Sequence, residues 1–280
     1  MQPRHRSVRA PPGPARARPA GTARSRGGRA SPGSRPFQLC HQGEQHASPP
    51  RGTANWPPSG RPWRSCPKPW ERTAGVEELG VVAEAADRLG FHHLTCSKHV
   101  AVPMDIAEQR GGTYWDPLAT FGYLAARTGR IRFATQVLVL GHHHPSAVAK
   151  RYGTLDRVSG RRLVLGLGVG SLEEEYRLLG AAFENRGVVA DDALAALRVS
   201  LPRREPAHHG EHFDYEGFVV EPHAVQDRVP LWIGGRTSRS LRRAVPFGDG
   251  WVPFGLSLDR LRELVDAASL RRGGSRCATR

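Results

Sequence analysis

Three short stretches of this chain carry residues whose types and spacing could do chemistry. RRLVLGLGVGS, residues 161–171, sets Gly166, Gly168 and Gly170 at strict period two. A dinucleotide fingerprint needs G-x-G-x-x-G and an acid about 20 residues on, so this ladder is something else. On an extended strand the three glycines share one face, and Leu163, Leu165, Leu167 and Val169 share the other. A face without side chains gives a flat ligand close access to the backbone, or it fits a tight interior, and both can hold together. IGGRTSRS, residues 233–240, reads as a strand end turning into a helix. There Gly234 and Gly235 end the strand, and a helix starting at Thr237 or Ser238 turns free N–H groups and its positive dipole end toward an anion. Arg236 adds a charge-assisted contact on that reading. On the competing reading the glycines are a tight turn and the arginines a solvated face. The third stretch, SKHV at residues 97–100, places His99 next to Lys98, whose ammonium disfavours protonation of its neighbour.

Metal chemistry finds little support. His142, His143 and His144, and the group His208, His209 and His212, fall in predicted turns. Cys40, Cys66, Cys96 and Cys277 show no C-x-x-C spacing, which fits a reducing compartment better than a zinc ribbon or a disulfide scaffold. There is no nucleophile elbow, H-E-x-x-H or Walker sequence.

The elements that must position these residues alternate between helix and strand from about residue 74. VEELGVVAEAADRLG puts Leu79, Val82, Ala83, Ala86 and Leu89 on one helical face, with Gly90 as the stop. FHHLTC is a short strand. WDPLATFGYLAARTG is a helix capped by Asp116, with Pro117 in its first position. IRFATQVLVL is a strand, residues 145–158 a helix, and RLVLGLGVG a strand. Ser171 and Glu174 form an S-x-x-E capping box for the next helix. After a helix at 186–200 and a hairpin in HGEHFDYEGFVVEP come the strand VPLWIGG, a helix, the strand DGWVPF and a last helix in SLDRLRELVDAASL. Five strands separated by helices predict a parallel sheet, and the unit length of roughly 30 to 40 residues suits a βα barrel.

Charge is unevenly distributed. Residues 1–72 hold 14 Lys and Arg against Glu44 and Glu71, so most of the net charge of +15 lies there. This Pro/Arg/Gly-rich leader has neither a helical nor a strand period and is expected to be disordered. An arginine-rich nucleic-acid tail is its functional alternative. The rest of the chain has an ordinary balance of charge, which argues against a nucleic-acid-binding fold. No stretch of 18 apolar residues and no secretory h-region is present, so the expected location is cytoplasmic, without membrane attachment.

The motifs TYWDPLATFGYLAARTGRIRFATQVLVL, HHPSAVAKRYGTLDRVSGRRLVLGLGVGSLEEEY, FENRG, HGEHFDYEGF, VPLWIGGRT and GDGWVP occur in one order. In that order the chain resembles the bacterial luciferase-like monooxygenase family, in particular its branch of deazaflavin-dependent oxidoreductases, from about Val76 to Leu270. The resemblance implies a (β/α)8 TIM barrel that binds coenzyme F-420, or alternatively FMN, at the C-terminal ends of its strands and acts on a small-molecule substrate. It implies that Ser97, Gln136, Val137, Gly166, Gly168, Gly170, Gly234, Gly235, Arg236 and Thr237 contact the cofactor. It also implies a bulge, often with a cis peptide, at Gln136 and Val137. His99 matches the histidine of an Asp-His pair near the reactive edge, as a proton donor or a polar cofactor contact. Lys98 stands where the family has the acid.

By motif order the visible strands correspond to barrel strands two to six. CPKPWERTAG is broken by proline and lacks β formers, and only RRGGSRCATR follows Leu270. The expectation is therefore an apparently incomplete barrel over residues 73–270 with both sheet edges unpaired, between the leader at 1–72 and an unstructured tail at 271–280. Alternative readings are a truncated non-catalytic remnant, or a binding protein that uses its basic leader. A homodimer stays open.

Overall fold

The computed structural model describes residues 38–39 and 74–274. By contacts the chain divides into Met1–Pro36 and Phe37–Arg280, and the first unit lies outside the described residues. Within the second, strand β1 (Gln38–Leu39) comes first, then helix α1 (Val76–Arg88), strand β2 (His93–Cys96), and helices α2 (Met104–Arg110) and α3 (Pro117–Arg127). Strands β3 (Arg132–Thr135) and β4 (Leu138–Val139), a 3-10 turn (Leu140–His142), helix α4 (Pro145–Val158) and strand β5 (Leu163–Gly168) follow. The chain continues through helices α5 (Glu173–Leu178) and α6 (Arg186–Ser200) and a small hairpin, β6 (His208–His209) with β7 (Asp214–Tyr215). Strand β8 (Leu231–Gly234), helix α7 (Ser238–Phe247), strand β9 (Gly250–Val252) and helix α8 (Leu258–Gly274) complete it.

The main sheet is wholly parallel in the order β1-β9-β8-β5-β3-β2, with β4 also paired to β5. This is the wall of a βα barrel, with helices outside. Phe133, Leu163, Leu165, Leu167, Ile233 and Trp251 point outward into a core completed by Phe121, Leu155, Leu194 and Leu197. Alternate residues point inward, where Ala134, Val164, Trp232 and Val252 form a second, smaller cluster. The period-two reading of the glycine strand therefore gives the true faces: Gly166 and Gly168 follow Val164 on the inner side.

Local chemistry explains the element ends. Asp116 accepts from the backbone N–H of Leu118 and Ala119, and Pro117 occupies the first helical position. The Asp87 carboxylate at the end of α1 accepts from the backbone N–H groups of Gly129, Arg130 and Ile131, pinning the turn that enters β3. Fully buried Asp156 accepts from the backbone N–H groups of Val225 and Gln226 and from the Gln226 side chain, tying the long excursion after α6 to α4.

The strand IRFATQVLVL divides in two at Gln136–Val137, where the peptide bond is cis, at the position the resemblance implied. Three other expectations change. The Ser171–Glu174 capping box is absent: α5 starts after Leu172, with no side-chain cap. The outer edge of β9 is not bare, because Gln38 and Leu39 from the expected leader pair with Gly250 and Trp251. A two-residue strand inside a proline-rich stretch leaves no periodic signal. Lastly, α8 runs to Gly274, past the expected boundary at 270. The remaining leader and tail residues lie outside the described ones. Among the described residues no helix is long and apolar enough to cross a membrane.

The sheet depends on one close approach. A Cβ on Gly166 would sit 1.8 Å from the Thr135 carbonyl oxygen, while the Thr135 hydroxyl donates to the Gly166 carbonyl at 2.7 Å. Gly166→Ala should therefore destabilise by more than the roughly 1–3 kcal/mol typical of overpacking, because the obstacle is backbone that cannot rotate away. The urea midpoint reports it, and an unchanged midpoint would mean that β3 and β5 do not lie this close.

Candidate functional site

Parallel strands present all their C-terminal ends on one rim, which is where barrel folds build their sites. Four of these ends carry the residues singled out in the sequence: Ser97–His99 after β2, Gln136–Val137 after β3, Gly168–Gly170 at the end of β5, and Gly234–Thr237 at the end of β8. Gln136 donates its backbone N–H to the Cys96 carbonyl at 2.9 Å, joining the first two ends directly.

Val137 occupies the middle of this rim. A Cβ on Gly168 would meet one of its methyl groups at 2.6 Å, and a Cβ on Gly234 would meet the other at 2.6 Å. The two glycines thus form a cradle for the valine, which stays half-buried and presents an apolar pad. The two readings of the ladder meet here: the bare strand faces admit a side chain, and that side chain makes the flat surface. Gly166 does different work, since it is covered by the Thr135 carbonyl. Gly170, at φ +70°, turns the chain over Tyr176, and its carbonyl accepts from Arg186 Nε at 3.3 Å.

At the β8 turn Gly235 has φ +133°, and a Cβ there would lie 2.7 Å from Ser240 Cβ. Thr237 caps α7: its hydroxyl accepts from the Ser240 backbone at 3.4 Å, and the Ser240 hydroxyl accepts from the Thr237 backbone at 3.3 Å. Arg236 is exposed and stacks over the Phe254 ring, 5.5 Å from its centroid. The turn offers an anion the N-terminal end of a helix and one exposed guanidinium.

His99 lies edge-on to Tyr114, with ring centroids 4.7 Å apart. Its Nδ1 is 3.0 Å from Glu175 Oε2, and the other Glu175 oxygen accepts from the Val100 backbone N–H. Lys98 turns away from this pair: its ammonium is 3.4 Å from Asp116 Oδ2 and 3.5 Å from His143 Nε2. Burial, then the charge of Lys98, lowers the His143 pKa to about 4, and burial also lowers that of His142. Burial, with Asp116 nearby, raises the Cys96 thiol to about 11, so that sulfur is no nucleophile here. Ser97 is exposed between β2 and Lys98.

The family model for "Luciferase-like monooxygenase" matches residues 58–275. The chain belongs to that family. A relative from Mycobacterium tuberculosis, itself without assigned function, is 29% identical over 196 residues, which cover 66% of this chain and 67% of that protein. The F420-dependent glucose-6-phosphate dehydrogenase of Nakamurella multipartita is 29% identical over 185 residues, covering 64% of this chain and 52% of its own length. Among solved structures, the monooxygenase RslO1 of Streptomyces bottropensis superposes with a TM-score of 0.54 at 26% identity, over 60% of this chain and 50% of that one. The chain thus spans about half the length of the last two.

In this luciferase-like chain every residue singled out from the sequence falls on the rim except Gly166, which lies deeper on β5. The sequence reading missed Glu175, the carboxylate that faces His99 from α5. It is only 3% exposed and lies 76 positions from His99 in the chain. Three consecutive acids, Glu173, Glu174 and Glu175, follow the glycine strand, and nothing in the sequence marks the third as the one that faces His99. The histidine groups serve other ends. His208 and His209 pair with Asp192 and Asp214 at 2.6 and 2.7 Å, and His144 caps α4. Among the described residues no His, Cys, Asp and Glu group has metal-holding geometry.

His143 yields a pH dependence. Its pKa falls from the ordinary 6.5 to about 4 on folding, so the unfolded chain binds its proton first as pH drops. Stability from this group is complete above pH 6.5 and is lost as pH falls toward 4. Thermal midpoints measured across that window should decline, and His143→Asn should flatten the decline. An equal slope in both proteins would assign the acid sensitivity to other groups.

Proposed function

We propose that this chain binds a deazaflavin, coenzyme F-420, along the rim and moves hydride between it and a small organic substrate. The observation that carries the reading is the convergence on one rim of an apolar pad, an anion-binding turn and a histidine backed by a carboxylate. The family membership supports it, as does the F420-dependent relative from Nakamurella. The residues fit such a group: the Val137 pad, seated on Gly168 and Gly234, matches a flat ring, and the Gly234–Thr237 turn matches its phosphate-bearing arm.

Bound there, the cofactor supplies the ring carbon that takes or gives hydride. The chain itself orients the reaction. Val137 would support one ring face with Gln136 beside it, and Gly170, without a side chain, would form the neighbouring wall. Arg236, exposed beside Phe254, would meet the anionic arm, together with the N-terminal end of α7. His99 would give or take the substrate proton, and the exposed Ser97 would contact the cofactor.

Titration of the purified chain with coenzyme F-420, followed by the fluorescence of the deazaflavin ring, tests this. Saturable binding is expected. Because Arg236 is exposed, Arg236→Ala should weaken binding by about 1 kcal/mol, roughly fivefold in Kd. Absence of saturable binding would sink the reading, and an unchanged Kd in the variant would move the anion contact away from this turn.

A further inference from the structure

We propose that His92 and His93 form an acid-released latch that holds the Trp232 ring in the floor of the barrel, below the rim. The inference goes beyond the function proposed above and needs no cofactor. It starts from where β2 points its side chains. Leu94 and Cys96 pack against the outer core, so His93 faces the lumen. Trp232, on β8, belongs to the inner cluster with Ala134, Val164 and Val252. Strands β3 and β5 lie between β2 and β8, so a contact from His93 to Trp232 crosses the lumen. That contact is made edge to face, with ring centroids 5.0 Å apart at 80°. The His92 ring lies nearly parallel to the same indole, 6.4 Å away. Bulky branched apolar side chains usually fill the interior of a βα barrel, and here two imidazoles close its lower end.

The two rings hold each other in place. Their Nδ1 atoms are 3.0 Å apart, and the ring planes are almost perpendicular at 83°. An N–H···N hydrogen bond accounts for that distance: one ring donates from Nδ1, and the other accepts there while its own proton sits on Nε2. Beneath them Trp232 is left only 4% exposed. It stands two positions before Gly234 on the same face of β8, so the latch lies under the glycine that seats Val137.

The charges around the pair set its response to acid. Arg132, opposite His93 in the register of β2 and β3, acts on both rings. Its guanidinium donates to the Leu163 carbonyl and to the Gln226 side chain. Among the described residues no carboxylate acts on either histidine, and Asp156, bonded to Gln226, acts on Arg132 instead. Burial, with Arg132, lowers the pKa of His92; burial, then the charge of His92, then Arg132, lowers that of His93. A first added proton goes to the bare Nε2 of the donating ring and leaves the bond intact. A second finds only the accepting Nδ1. It turns the acceptor into another donor and sets two imidazolium rings side by side next to Arg132. The rings then part, and Trp232 loses its cover. Because both histidines bind protons more weakly in the folded chain than in the unfolded one, the latch is complete above the ordinary pKa of 6.5 and is lost as pH falls below it.

Nitrogen-15 spectra of the full chain, labelled at histidine and tryptophan, test this. At neutral pH a coupling across the hydrogen bond should link two Nδ1 nuclei, assigned through His92→Asn and His93→Phe. On acidification it should vanish reversibly, in one step with a shift of the Trp232 indole signal, assigned through Trp232→Phe. Trp251, whose indole N–H donates to Ser240 on the outer face of the sheet, should keep its folded position through that step. In the double variant His92→Asn, His93→Phe a ring still packs on Trp232 but no proton can release it, so the Trp232 signal should stay fixed over the same range. His143→Asn should leave the step in place. Absence of the coupling at neutral pH overturns the proposal even if the double variant does not fold. So does a Trp232 shift that the double variant retains, that His143→Asn abolishes, or that Trp251 shares, the last being acid unfolding of the whole chain.

Discussion

The rim depends on backbone left bare at three points of two strands. Where Gly166 has no Cβ, the Thr135 carbonyl takes the space, so β3 presses onto β5 more closely than any side chain would allow. From that contact β3 cannot run on straight. It stops at Thr135, and pairing with β5 resumes only at Leu138, opposite Leu167. The interruption turns Val137 inward, and the empty sites above Gly168 and Gly234 receive its two methyl groups. Take away the bare backbone and the pad, the split strand and the sheet spacing all go together.

A second layer is set by α5. Although it is a short helix without a side-chain cap, Tyr176 anchors it under Gly170 and Gly141, and Glu175 ties it to the loop after β2. The loops after β2, β4 and β5 therefore share one support. Lys98 and Asp116 add an ion pair from the outside, with Asp116 capping α3 at the same time.

What the sequence made legible was mostly local. Asp116–Pro117 announces a helix start because cap and first-turn preferences are set by adjacent residues. The glycine ladder shows its faces because the strand period is two. The helix of residues 145–158 and the turn at Gly234–Thr237 were readable for similar reasons. The placement of the β3 break at Gln136–Val137 came from family resemblance, since no local pattern marks it. Glu175 was invisible as a partner because its contact spans 76 positions, and its neighbours Glu173 and Glu174 look the same in sequence. The capping box failed for a related reason: the start of α5 is decided by the seating of Tyr176, not by Ser171. Gln38–Leu39 has no strand signature of its own and exists as a strand only through its pairing with β9.

One feature of the rim constrains how this chain can vary. Val137 is a single side chain shared by two other strands, one methyl group to each, across sequence distances of about 30 and 100 residues. Volume there is a joint quantity. A methyl added at position 168 or 234 is tolerable only if position 137 gives one up, and a larger residue at 137 can extend only outward over the rim. Substitutions at the three positions should be strongly epistatic, so single changes at any one of them are a poor guide to what the trio can accept, and a search for altered pads has to move all three at once.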